Sequence, residues 1–129
     1  MCLFYDRIGT ENFRKENAGK TITVWKTVKK CDNNYKSIYM EEIIPVVGIY
    51  KSNRHYIKLT TVEKDCGEID YGIHTYGTRK YARRYATIDK NRKVIKCEAK
   101  MEDFVGVNYG QSELVFTKVK ILSQRKKGH

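Results

Sequence analysis

Residues Tyr71–Lys100 read YGIHTYGTRKYARRYATIDKNRKVIKCEAK. This stretch joins a glycine-bracketed turn, a short helix and a strand. From Thr78 onward the pattern predicts a helix over about 78–88. Thr78 is a residue type that caps helix N-termini, and Tyr81, Ala82, Tyr85 and Ala86 recur at i, i+1, i+4 and i+5, making one apolar stripe. Arg79, Lys80, Arg83 and Arg84 occupy the rest of the helix surface. Beyond it, Lys93–Ala99 predicts a strand. Before it, Gly72-Ile73-His74-Thr75-Tyr76-Gly77 predicts a loop running into a helix start, where backbone amides can meet an anion. That loop is neither a Walker loop nor a G-x-G-x-x-G turn.

The same stretch holds most of the charge. Its nine Lys and Arg face only Asp89 and Glu98, a balance of +7 in a chain whose total is +11. A positive field this concentrated points to an anionic partner: a nucleotide, a nucleic acid or an acidic protein.

Working outward, strands are predicted at Thr21–Val28, Tyr35–Met40, Val46–Tyr50, Tyr56–Val62 and Leu114–Leu122. In Thr21–Val28, Ile22, Val24 and Lys26 share one face and Trp25 lies on the other. In Leu114–Leu122, read as one strand, Val115, Thr117, Val119 and Ile121 form an apolar face. Phe116, Lys118 and Lys120 then form a partly cationic one. Asp32-Asn33-Asn34, Lys51-Ser52-Asn53, Asp65-Cys66-Gly67 and Asn108-Tyr109-Gly110 are turn-forming clusters between these segments. A second helix is predicted over about Gly9–Ala18. The fold class is therefore α+β: an antiparallel sheet meander with one main basic amphipathic helix packed on it. One domain is expected over 1–123, followed by a flexible basic tail over 124–129.

At 129 residues the chain has room for one core, burying roughly two-thirds of the unfolded surface. No apolar run is long enough to span a membrane, and the start, MCLFYDRIG, lacks the layout of a signal peptide. A cytoplasmic protein is expected. Cys2, Cys31, Cys66 and Cys97 are widely spaced, without a C-x-x-C pair, which predicts reduced thiols and no zinc site.

Each candidate function has a plainer alternative. The basic helix is either a phosphate grip or a solvated face. Arg79 and Lys80 sit in the first turn, where the helix dipole disfavours cations, and that local cost favours a functional role. The ten tyrosines suit base stacking but equally fill strand faces. Cys2 would become an N-terminal nucleophile on loss of Met1, although no base partner is evident. Glu41-Glu42 and Glu102-Asp103, as neighbours on a strand, point apart and make no acid–base dyad. His55, His74 and His129 are too scattered for a metal site.

ITVWKTV, GIHTYGTRKYARRYA, VIKCEAKMEDFV and ELVFTKVKIL together resemble small accessory proteins encoded by bacteriophages, over about the last half of the chain and more loosely over the first. Some compact proteins of this kind look like nucleotide sponges, which bind cyclic dinucleotides or cyclic ADP-ribose derivatives and form oligomers. The resemblance implies an anti-defence protein that sequesters a nucleotide second messenger without catalysis or cofactor, as a homo-oligomer in the host cytoplasm. Combined with the residue reading, it makes Arg79, Lys80, Arg83 and Arg84 the phosphate ligands. His74 and Tyr76 then meet the ligand from the loop, and Lys118 and Lys120 add charge from the last strand. Two alternatives remain. One is inhibition of a host nucleic-acid enzyme or direct nucleic-acid binding. The other is an ADP-ribosyltransferase-like enzyme with Trp25-Lys26, Tyr39 and Glu113 lining a cleft.

Overall fold

The computed structural model describes residues 7–31, 33–37, 43–52, 57–59, 67–69, 72–88, 90–108 and 113–124, with the backbone alone at residues 7, 57–59, 67–69, 85 and 108. Helix α1 spans Arg7–Asn17 and α2 spans Arg79–Ala86. The strands are β1 (Thr21–Cys31), β2 (Asn34–Lys36), β3 (Ile43–Ile44), β4 (Gly48–Lys51), β5 (Ile57–Leu59) and β6 (Gly67–Ile69). They continue with β7 (Ile73–Tyr76), β8 (Arg92–Lys100), β9 (Phe104–Asn108), β10 (Glu113–Phe116) and β11 (Lys118–Ile121). The fold is α+β: among the described residues it has a nine-stranded antiparallel sheet, a separate antiparallel β5–β6 pair and two helices.

The seven strands on the main path run β4-β11-β8-β1-β7-β10-β9, with β2 and β3 added beside β1. The β1–β8 ladder is the backbone of the sheet, running from Thr21↔Lys100 to Lys29↔Arg92. Strand alternation then sorts the side chains into two faces. Val24, Val28, Ile95 and Cys97 lie on the inner face, all fully buried. Ile73, Leu114, Phe116, Val119 and Ile121 join them in one core cluster. Trp25, Thr27, Lys96, His74, Tyr76 and Glu113 take the outer face.

Leu114–Leu122 is not one strand. It divides at Thr117. The Thr117 amide donates to the Asp103 carbonyl at 2.8 Å, and its own carbonyl accepts from Ser52 N–H at 2.9 Å. A register shift lies just before it, between Val115 and Phe116. The break reverses the alternation: Phe116 and Val119, three apart, both face the core. Phe116 is therefore fully buried and does not share a cationic face with Lys118 and Lys120. β10 pairs with β7 and β9, whereas β11 pairs with β4 and β8. Because β10 and β11 are one run of chain, the sequence of neighbours from β11 through β8, β1 and β7 returns to it, and the sheet rolls onto itself.

Helix α1 covers the β9 edge. The Thr10 hydroxyl accepts the Val107 N–H at 3.0 Å, which occupies an edge donor that would otherwise invite another strand. Phe13 stacks in a tilted arrangement on Phe104, with centroids 5.2 Å apart, and so carries α1 onto the core.

Several expectations shift in detail. Thr21–Val28 extends to Cys31, Val46–Tyr50 becomes Gly48–Lys51, and Tyr35–Met40 shortens to Asn34–Lys36 among the described residues. Glu102 and Asp103 lie on a 3-10 turn, Met101–Asp103, rather than on a strand. Gln124, assigned from sequence to a mobile tail, is tied to β8: its side-chain amide donates to the Lys96 carbonyl and its oxygen accepts the Lys96 N–H, both at 3.0 Å. Cys2, Tyr39, Glu41, Glu42, His55, Cys66 and residues 125–129 lie outside the described residues. Among the described residues, no helix is long and apolar enough to cross a membrane.

Candidate functional site

Helix α2 begins where the sequence places it. Thr78 is extended (φ −132°, ψ 148°), and its hydroxyl accepts the Tyr81 N–H at 3.4 Å. At the other end, Thr87 closes the helix by donating its N–H to the Arg83 carbonyl at 3.1 Å and its hydroxyl to the Arg84 carbonyl at 3.0 Å. Ala82 is fully buried and its carbonyl accepts the Thr27 hydroxyl at 2.7 Å. That bond fixes α2 on the outer face of β1. A larger side chain at Ala82 would hold the helix off the sheet.

Seated this way, α2 turns Arg79, Lys80, Arg83 and Arg84 to solvent; all four are exposed. Tyr81, expected to pack with Ala82, is instead 38% exposed, and the Arg84 guanidinium lies over its ring, 5.2 Å from the centroid. The Tyr85 side chain is outside the described residues. At its N-terminal end this face is electrostatically unfavourable in the free protein, whereas Arg83 and Arg84, in the last turn, meet the favourable end of the helix dipole. The first turn contains no acidic residue. Arg79–Arg83 and Lys80–Arg84 are like-charge i,i+4 pairs, which weaken a helix by a few tenths of a kcal/mol each. Among the described residues no carboxylate pairs with any of these four cations.

The predicted histidine loop is a strand. Ile73–Tyr76 forms β7, with Ile73 and Thr75 buried and His74 and Tyr76 half-buried on the other face. The Thr75 hydroxyl donates to the Leu114 carbonyl at 2.8 Å, fastening β7 to β10. Gly72 has φ +115°, a backbone conformation suited to glycine. It is the bend by which the chain enters β7.

A pair that sequence reading missed lies here. His74 Nδ1 is 2.8 Å from Glu113 Oε1. An ionised carboxylate only accepts, so Nδ1 carries the proton and Nε2 is the ring nitrogen that Glu113 does not engage. Glu113 is 8% exposed, whereas the His74 side chain is 28% exposed. Lys26, also only 8% exposed, reaches from the inner face of β1 and donates Nζ–H to the His74 carbonyl at 2.9 Å. Two buried ionic side chains thus hold one half-exposed histidine, one by its ring and one by its backbone. Nothing local announces this, because His74 and Glu113 are 39 residues apart.

Lys118 and Lys120 are on β11, which pairs with β4 and β8 rather than with β1, the strand to which α2 is bonded. Lys120 is opposite Glu98, and Glu98 is opposite Thr23. That level is four residues along β1 from Thr27, roughly 13 Å, and two strands across, roughly 10 Å. Lys118, opposite Lys51, is farther still. Of the residues in the transferase alternative, Trp25 and Glu113 share the outer face, but Lys26 is on the inner one. Among the described residues no cluster of three or more potential metal-ligating side chains forms.

No family model matches the chain, and no curated protein and no solved structure shows a significant match to it.

Proposed function

We propose that the chain is a non-enzymatic nucleotide-binding protein whose cationic α2 face captures a phosphate-bearing second messenger of the cyclic dinucleotide or cyclic ADP-ribose type. The observation that carries this reading is the arrangement of Arg79, Lys80, Arg83 and Arg84. They are exposed, mutually repulsive, unmatched by an acid in the first turn and held on a rigid sheet. A bound phosphate relieves that repulsion, and arginine can grip it bidentately. In this reading His74 and Tyr76, which project from β7 immediately before the helix on the face that carries α2, meet the same ligand. A role in neutralising a nucleotide-signalled host defence draws its support from the resemblance to phage accessory proteins.

Thermal unfolding against a panel of cyclic nucleotides tests this. A ligand at one hundred times its Kd stabilises by about 2.7 kcal/mol, on the order of a 10 °C rise in Tm for a domain of this size. A panel that leaves Tm unmoved removes the proposal. The triple replacement of Arg79, Arg83 and Arg84 by Ala abolishes the rise while leaving the unliganded Tm within a few degrees.

A further inference from the structure

Beside α2 the sheet carries a cross-strand row on its outer face. Trp25 lies opposite Lys96 on one side and opposite Tyr76 on the other. Tyr76 in turn lies opposite Glu113. Directly opposed residues have Cβ atoms roughly 5 Å apart, so the two aromatic side chains leave the same face of the sheet from neighbouring positions. Both are half-buried and neither belongs to the core cluster, while Lys96 is exposed. Helix α2 starts just past Tyr76, and its Ala82 carbonyl is held over Thr27. The helix therefore leads away from the row toward the Lys29–Arg92 end of the sheet. Arg79 and Lys80, in its first turn, follow Tyr76 by three and four residues.

We infer that Trp25 and Tyr76 form a stacking floor for a nucleobase, so that the site takes a small base-bearing nucleotide rather than phosphate alone. The inference rests on the reading of α2 as the phosphate-binding face and adds the half of the ligand that α2 cannot recognise. Stacking on aromatic side chains tolerates any base, because every base has a π-face. Selectivity then falls to the edge-on groups. His74 lies on the same face as Tyr76, two residues before it, and Glu113 engages its Nδ1. Nε2 is thereby fixed as the nitrogen that meets a base edge or a sugar hydroxyl. The row also limits ligand length. It offers two rings and then ends at the Glu113 carboxylate, which disfavours the further phosphates of a polymer.

Trp25 is the only tryptophan in the chain, so its emission reports the event directly. The native protein is titrated with cyclic di-AMP, cyclic di-GMP and the four nucleoside 5′-monophosphates. Parallel titrations use inorganic tripolyphosphate and a single-stranded oligonucleotide. A saturable quench by at least one small nucleotide is expected. Tripolyphosphate is expected to compete for the site without quenching. Tyr76→Leu weakens the nucleotide roughly tenfold or more and leaves tripolyphosphate affinity unchanged; the wild-type quench stands as evidence whether or not that variant folds. Nucleotide and tripolyphosphate binding equally well with no change in emission overturns the stacking floor but leaves α2 as a phosphate site. No binding of any probe overturns both readings. A quench by the oligonucleotide and by none of the small ligands overturns the assignment to a small nucleotide.

Discussion

The Glu113 carboxylate reaches diagonally from β10 to the His74 imidazole on β7, Oε1 to Nδ1, at 2.8 Å. Glu113 is directly opposite Tyr76, not His74, so the buried acid pairs along the ladder with one residue of β7 and bonds the side chain of another. Its first consequence is a fixed tautomer. NMR of neutral His74 is expected to show the proton on Nδ1. In Glu113→Ala the population shifts toward the Nε2–H form that prevails in water. Stability falls by about 1–3 kcal/mol as the half-buried ring nitrogen loses its partner, measurable by urea unfolding.

Arg79 separates binding from stability. It sits in the first turn of α2 facing the positive end of the helix dipole, one turn before Arg83. Arg79→Glu reverses both unfavourable terms and gains about 0.5–1 kcal/mol, seen as a small rise in Tm of the free protein. The same change weakens capture of an anionic ligand. A variant that is both more stable and an equally good binder would show that this helix face is merely solvated.

Phe116 tests the break at Thr117. If the run 114–122 were a regular strand with Phe116 beside Lys118 and Lys120, Phe116→Ala would cost almost nothing. With the ring fully buried and tilted against Phe104 at a centroid distance of 5.6 Å, the expected cost is about 3–5 kcal/mol. Equilibrium urea unfolding gives the value directly.

Cys97 makes alkaline stability predictable. Burial pushes its thiol up to about 12 from 9.0, only partly offset by the Lys26 charge. Between those values the unfolded chain has lost a proton that the native state keeps. Stability from this residue is therefore complete below about pH 9 and declines as pH rises toward 12, on the order of 3–4 kcal/mol in all. Burial also raises the Tyr35 hydroxyl, which acts in the same direction. Cys97→Ala is expected to flatten the fall in Tm between pH 9 and 11. In the native protein at neutral pH, Cys97 resists thiol reagents that label the half-buried Cys31.

Helix α2 was legible because everything that defines it is local: the cap at Thr78, the spacing of Ala82 and Ala86, and the cations between them. β1 and β8 were legible for the same reason, since each alternates over most of its length. Ile73–Tyr76 was not, because Gly72 and Gly77 bracket it and glycine is the usual mark of a turn. Here Gly72 bends the chain into a strand rather than through a loop. The single alternation expected over 114–122 held for Val119 and Ile121 but failed for Phe116, because at Thr117 one residue outside the ladder exchanges inside for outside. The His74–Glu113 contact and the Trp25–Tyr76 row depend on which strands become neighbours, and residue patterns carry no record of that.

The β1–β8 ladder joins residues 63 positions apart at Lys29–Arg92 and 79 apart at Thr21–Lys100. During synthesis from the N-terminus, β1 therefore emerges long before the partner that completes it. The rolled sheet closes only when the run through Thr117 follows. Until then Val24 and Val28 have no core to enter, and β1 waits half-paired. Folding is correspondingly slow, set by distant pairings rather than by the fast local turn of α2.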